Sequence, residues 1–315
     1  ILAMAVVLAN RFVRLNLEVE RLNVDLTQTN KAYSRFVPME FLGHLGLATI
    51  IDVRLGQQVE REMTILFSDI RSFTTLSESM TPDENMQFLN SYFKHMTPIV
   101  HQYNGFIDKY IGDAIMSLFP ESAEDALRAS IAMQEDIARY NEVRRERGFQ
   151  AIQVGIGLHT GMLVLGTIGN AERMDGTVIS DAVNLASRIE GLTKMFGASI
   201  MLSGLTLSRI SVAHERFDLR PLGTMQVKGK TEGVPVYEVL DGLPEAERSG
   251  KLAGLESFQR ALELYALGKL NEAADSFALS RKAWPGDKAA LFYESLIAEQ
   301  QKFGNWQPMI RLDSK

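Results

Sequence analysis

Residues Leu8, Phe12, Leu15, Val19, Leu22, Leu26, Thr29, Tyr33 and Phe36 recur at alternating intervals of four and three. That spacing is a heptad seam. It predicts a helix over 10–37 that pairs with a second copy as a parallel two-stranded coiled coil. Polar residues line both flanks (Arg11, Arg14, Glu18, Glu20, Arg21, Asp25), leaving a stripe too narrow for a helix lying on its own domain. Pro38 ends it. Upstream, ILAMAVVLA (1–9) is wholly apolar and is followed by Arg11 and Arg14. So short a run does not span a bilayer, which takes about 20 residues. Backed by two arginines, it reads as the cytoplasmic end of a transmembrane helix. The alternative is the apolar start of a soluble coiled coil. The chain opens on Ile1 rather than Met, so a membrane anchor ending near residue 9 and an upstream membrane sensor are expected to precede a cytoplasmic catalytic domain.

After a connector over 38–60, the pattern turns to alternating strands and helices. REMTILFSDI reads as a strand. TPDENMQFLNSYFKHMTPIVHQY reads as a helix opened by a Thr cap and a first-turn Pro. GFIDKYIGDAIMSLF predicts a hairpin turning at Gly112-Asp113, and 122–147 a long amphipathic helix. AIQVGIGLHTGMLVLGTIG predicts a second strand pair turning near Thr160-Gly161. Residues 181–196 read as helix, then ASIMLS, FDLR and VPVYEVL as strands. This order predicts an α+β fold for 61–242, a ferredoxin-like (βαββαβ) antiparallel sheet with helices on one face. Residues 250–305 are helical and place small, aromatic and Pro residues as a tetratricopeptide repeat does. One repeat plus a helix falls short of the roughly three units such arrays need. The segment is therefore expected to dock on its own catalytic domain or to take a protein partner, with a plain helical hairpin as the alternative.

Composition narrows the chemistry. With 315 residues and 46% hydrophobic content, the chain can bury one good-sized core and a small second one. Net charge is −6, so no basic field exists to hold nucleic acid. There is no cysteine, which excludes disulfides, thiolate catalysis and Cys-ligated zinc. The five histidines lack ligand spacing, so a metal would sit on oxygen ligands, which suit Mg²⁺ or Mn²⁺.

Two aspartates end apolar strand runs: Asp69 in ILFSDIRSF and Asp113 in YIGDAIMSLF. Burying one acid is costly without a partner or a cation. Two acids from adjacent strands can converge on a pair of hard cations, the arrangement that in-line phosphoryl or nucleotidyl transfer uses. Each alone is ordinary, since such Asp residues are common in turns. After Asp69, IRSFTTLSES could offer helix-start N–H groups to a triphosphate. In DGTVISDAVNLASRIEGL, Asn184 and Arg188 share a helix face. Arg can stabilise charge on a pentavalent phosphorus, and an amide can fix a ribose. On spacing alone a surface Asn and an Arg paired with Glu190 or Asp181 is the plainer reading. Lys228 and Lys230 around a turn glycine read as solvated. Lys109 and Asp113, four apart and opposite in sign, could pair across the hairpin, which at a surface is worth ~0–1 kcal/mol.

Together, FSDIRSFT, FIDKYIGDAIMSLF, GIGLHTG, DAVNLASRIE and VKGK, in this order and spacing, resemble the catalytic domain of class III adenylate and guanylate cyclases over 61–240. The resemblance implies an obligate homodimer whose active sites are each built from both chains. It implies that Asp69, Ile70 and Asp113 hold two Mg²⁺ or Mn²⁺ ions. Phe73, Thr74 and Lys228 would belong to the substrate site, with Lys228 at the terminal phosphates. Asn184 would orient the ribose and Arg188 would stabilise the transition state. Base reading falls on Lys109 and Thr177. Adenine presents an N1 acceptor and an N6 donor, which an ammonium and a hydroxyl match; guanine would suit a Glu at the first position. The Lys–Thr pair resembles the subgroup that includes bicarbonate-responsive adenylate cyclases, so bicarbonate is an expected effector. Ser180 stands where many relatives have Gly, and Met162 where some carry a phosphate-holding Arg. The implied reaction converts Mg·ATP to cyclic AMP and pyrophosphate. The rivals are a guanylate cyclase, disfavoured by Lys109, and an inactive cyclase-like module, disfavoured by Asp69, Asp113, Asn184 and Arg188.

Overall fold

The computed structural model describes residues 2–33, 38–170, 172–226 and 233–311. It divides into two units, residues 1–58 with 166–176, and residues 59–165 with 177–315. In the first unit, α1 (Leu2–Tyr33) is a single long helix and α2 (Met39–His44) a short one. The seam residues Leu8, Phe12, Leu15, Val19, Leu22 and Leu26 are all exposed, Phe12 at 65% and Leu22 at 61%. Among the described residues no helix is long and apolar enough to cross a membrane. Phe41 and Leu42 of α2 are buried, and Gly176 lies so close to the Phe41 ring that a Cβ there would meet it at 2.9 Å.

The second unit is built on a mixed sheet. Its strands are β1 (Gln58–Ile70), β2 (Phe106–Ile111), β3 (Ala114–Phe119), β4 (Val154–Gly169), β5 (Met174–Ile179), β6 (Ile200–Ser203), β7 (Leu219–Gln226), β8 (Gly233–Val239) and β9 (Ile310–Arg311). They lie in the order β2-β3-β1-β4-β6-β8-β7-β9, with β5 paired to β4. The helices are α3 (Phe73–Glu78), α4 (Pro82–Gln102), α5 (Ala123–Glu146), α6 (Asp181–Phe196), α7 (Gly204–Ser208), α8 (Ala213–Arg216), α9 (Glu245–Ala253), α10 (Leu255–Ala266), α11 (Leu270–Ala283) and α12 (Lys288–Phe303). The succession β1-α4-β2-β3-α5-β4 with spatial order β2-β3-β1-β4 is the expected βαββαβ arrangement. The β1–β3, β2–β3, β6–β8 and β7–β8 pairs are antiparallel, while β4–β6 and β7–β9 are parallel. Helix α4 starts where its sequence says it should. The Thr81 hydroxyl accepts from the Glu84 N–H at 3.3 Å, the Glu84 carboxylate accepts from the Thr81 N–H at 2.8 Å, and Pro82 fills the first turn.

One expectation fails. There is no strand pair turning at Thr160-Gly161, because Val154–Gly169 is a single strand. Its glycines serve an approach rather than a turn. Ile156 and Leu158 point into the core that holds α4 and α5. The alternate residues Gly155 and Gly157 face α6, and a Cβ on Gly157 would stand 2.2 Å from the backbone nitrogen of Glu190. A Cβ on Gly161 would meet that of Ala182 at 2.8 Å. Helices therefore cover both faces of the sheet, not one, and this glycine row is what lets α6 lie against β4.

The C-terminal helices dock on their own sheet. Phe258, Ala261, Phe277, Tyr293 and Ile297 share a core with Leu185, Ile189 and Phe196 of α6 and Leu222 and Met225 of β7. Tyr293 donates to the Leu222 carbonyl at 2.6 Å, over Gly223, where a Cβ would lie 2.3 Å from the hydroxyl oxygen. Arg220 of β7 is fully buried. It donates to Glu238 at 2.8 Å and to Asp287 at 2.5 and 3.1 Å. Lys251 of α9 binds Glu238 and Glu247, each at 2.7 Å. Burial would strip the Arg220 proton, but Glu238 and Asp287 outweigh it and raise the pKa above its ordinary value. Asp287 also caps α12, accepting from the Ala289 N–H at 3.1 Å.

Candidate active site

The site is assembled on the ends of β1 and the β2–β3 hairpin. The hairpin turns in two residues, with Ile111 opposite Ala114 and Gly112 at φ +64°, a conformation that costs a residue with a side chain and not glycine. Ser68 pairs with Ile115, so Asp69 stands level with the start of β3, beside Asp113. Asp113 Oδ2 accepts from the Ile70 N–H at 3.2 Å. The Asp113 carboxyl is pushed up to about 7, first by burial and then by the hydrogen bond and negative charge of Asp69. Two acids brought this close, one of them held partly out of water, form the donor set a divalent cation would neutralise. Ile70 itself is buried, and its N–H is the group that Asp113 takes up. Among the described residues no cluster of three His, Cys, Asp or Glu could hold a metal. Two carboxylates and a carbonyl, completed by substrate phosphates, fit the way Mg²⁺ is held in phosphoryl-transfer sites.

Lys109 does not pair with Asp113. A bulge in β2 between Ile107 and Lys109 changes the register, and Lys109 Nζ lies 3.3 Å from Oδ2 of Asp108. The Asp108 side chain is only 4% exposed, and burial raises its pKa against the opposing pull of Lys109. Oδ2 makes no aligned hydrogen bond, so the contact is one of charge. Asp108 was not singled out from the sequence. Nothing in FIDKY marks it, because the bulge between Ile107 and Lys109 breaks the strand's alternation at that residue.

Asn184 and Arg188 sit on adjacent exposed turns of α6, while Leu185, Ala186 and Ile189 bury the opposite face. The helix is capped by Ser180, whose hydroxyl accepts from the Ala182 N–H at 2.9 Å and donates to the Met162 carbonyl at 2.5 Å. The two departures from the family pattern are thus joined. Thr177 lies half-buried on β5, just upstream. In α3, the Phe73 ring stacks on Phe88 at 6.2 Å, so its side chain is spent on packing. Thr74 is exposed. Lys228 and Lys230 lie outside the described residues.

Residues 55–240 match the family model described as the adenylate and guanylate cyclase catalytic domain. An adenylate cyclase of Anabaena cylindrica is 44% identical over 68% of this chain and 44% of its own length. The terminal-differentiation-specific adenylate cyclase of Dictyostelium discoideum is 37% identical over 82% of this chain and 12% of its own. This chain thus spans less than half of either relative. Among solved structures, a bacterial light-regulated adenylyl cyclase superposes with a TM-score of 0.61 at 26% identity, covering 72% of this chain and 65% of that one.

Proposed function

The chain belongs to the adenylate and guanylate cyclase catalytic-domain family, and from that premise we propose that it is an adenylate cyclase acting as a homodimer. The observation that carries this reading is the placement of Asp69 beside Asp113, at the end of β1 and the turn of the β2–β3 hairpin, with the ammonium of Lys109 on the same hairpin. The ribose 3′-oxygen attacks the α-phosphorus in line, the bond from that phosphorus to its bridging oxygen breaks, and pyrophosphate leaves with cyclic AMP formed. Asp69, Asp113 and the Ile70 carbonyl would hold two Mg²⁺ or Mn²⁺ ions, which would supply positive charge to ease loss of the 3′-hydroxyl proton and to offset the triphosphate.

The rest falls to the chain's own groups. Asn184 orients the ribose, and Arg188 meets the charge that develops on the α-phosphoryl oxygens. Lys228 contacts the terminal phosphates, and the N–H groups at Phe73 and Thr74 face the triphosphate. Lys109 donates to adenine N1 and Thr177 accepts from the N6 amine. The Asn184 and Arg188 side chains are exposed in one chain, as groups completed by a second chain would be. The α1 seam supplies the parallel coiled coil that brings the two chains together, carrying signals from a membrane sensor upstream. Bicarbonate is its small-molecule effector.

The base assignment is tested by Lys109→Glu with Thr177→Cys, assayed on ATP and GTP. The ATP-over-GTP preference is expected to fall by roughly 100-fold or more, because the wrong base leaves buried polar groups unpaired. An unchanged preference in the double variant removes Lys109 and Thr177 from base reading.

A further inference from the structure

The loop leaving β1 contains a side chain for which the chemistry above has no use. Arg71 follows Asp69 by two residues, and its backbone N–H donates to the Gln153 carbonyl at 2.8 Å. Its guanidinium crosses to α6, where Nη2 donates to the Thr193 carbonyl at 3.2 Å and to the Ala198 carbonyl. Those carbonyls close the C-terminal end of α6, where Gly197 takes φ +67°. A cation there meets the negative end of the helix dipole. Burial lowers the Arg71 pKa, and Glu190, Glu238 and Glu247 oppose that shift. Nε is buried without a hydrogen-bond partner. A buried guanidinium with one orphan donor is an expensive way to cap a helix, which raises the question of what else it secures.

We propose that Arg71 is a positioning residue that locks the Asp69 end of β1 to the helix carrying Asn184 and Arg188. The inference rests on the two-chain cyclase reading. In such a dimer, Asp69 and Arg188 of one protomer serve different substrate molecules. Arg71 then ties together two half-sites that work in opposite active sites, and a displacement of one is passed to the other. Arg188 is five residues from Thr193 on the same helix, little more than one turn from the gripped end.

Mixed dimers of the full chain test this. An Asp69→Ala chain paired with an Arg188→Ala chain leaves one complete site, with Asp69 from the second chain and Arg188 from the first. Arg71→Met is then placed in either chain alone. The expected result is a fall in kcat of roughly tenfold or more in both placements, since small misplacements of catalytic groups are costly. KM for ATP should change less, and Arg71→Lys should recover part of the loss. If Arg71→Met in the Asp69→Ala chain leaves kcat within about twofold, Arg71 acts on its own metal end alone and the inference fails. Should the unmodified mixed dimer be inactive while wild type is active, the two-chain reading falls, and the inference with it. Hydrogen exchange at the amides of 193–198 gives a readout independent of turnover. It is expected to quicken in folded Arg71→Met, and unchanged exchange would overturn the lock.

Discussion

Along the chain, helices both precede and follow the strands, and the two sets finish differently. The C-terminal helices bury Phe258, Phe277, Tyr293 and Ile297 against their own sheet and seal the contact with the Arg220–Glu238–Asp287–Lys251 network. The N-terminal helix α1 leaves Leu8, Phe12, Leu15, Val19, Leu22 and Leu26 in solvent. From the sequence, α1 reads as pairing with a second copy, and the tail as docking either on its own catalytic domain or on another chain. The difference is one of burial within a single chain: the tail's apolar side chains are covered and those of α1 are not. Aromatic and aliphatic side chains are worth ~1.5–3 kcal/mol each when buried. The tail has already gained that, and α1 has not.

The contrast breaks most visibly at the tail. Asp287→Ala would leave the Arg220 guanidinium buried with half its partners, and Tyr293→Ala would empty an aromatic site in the shared core. Each is expected to destabilise the catalytic unit by about 3–5 kcal/mol in urea unfolding. A loss under 1 kcal/mol would mean that the tail is an appended module after all. A middle effect is expected from Gly157→Ala, whose Cβ would strike the α6 backbone at 2.2 Å. Overpacking of this kind costs about 1–3 kcal/mol. Because α6 carries Asn184 and Arg188, activity should fall further than stability. The smallest stability effect is expected from Leu15→Asp with Leu22→Asp, within about 0.5 kcal/mol for the catalytic unit, since both are exposed. That pair should instead weaken self-association in sedimentation, with turnover becoming steeply dependent on protein concentration. Inserting one residue after Leu26 sharpens the point. Lost activity makes the helix a register-sensitive transmitter, and untouched activity makes it a tether.

The same contrast separates what could be read in the sequence from what could not. Helix α6 was expected over 181–196 and spans Asp181–Phe196, because its cap, apolar period and terminal glycine are all local signals. The Gly112-Asp113 hairpin was equally legible. β4 is one strand where the sequence suggests two, because glycine in HTG is ambiguous. It marks a turn when φ is positive and a close approach when a helix lies behind it, and that helix comes later in the chain. Asp108 was hidden by a bulge, which shifts register by one residue without a distinctive sequence. Arg71 grips carbonyls 122 and 127 residues away, and nothing local announces such a contact.

What decides the proposed function is whether this chain makes cyclic AMP. The direct measurement is incubation of the 315-residue chain with ATP or GTP and Mg²⁺ or Mn²⁺, with nucleotide and pyrophosphate identified by mass. The expected result is 3′,5′-cyclic AMP and pyrophosphate in equal amounts from ATP, far less product from GTP, and none from Asp69→Ala or Asp113→Ala. A chain that dimerises and binds ATP yet yields no cyclic nucleotide with either metal, or that prefers GTP, would contradict it.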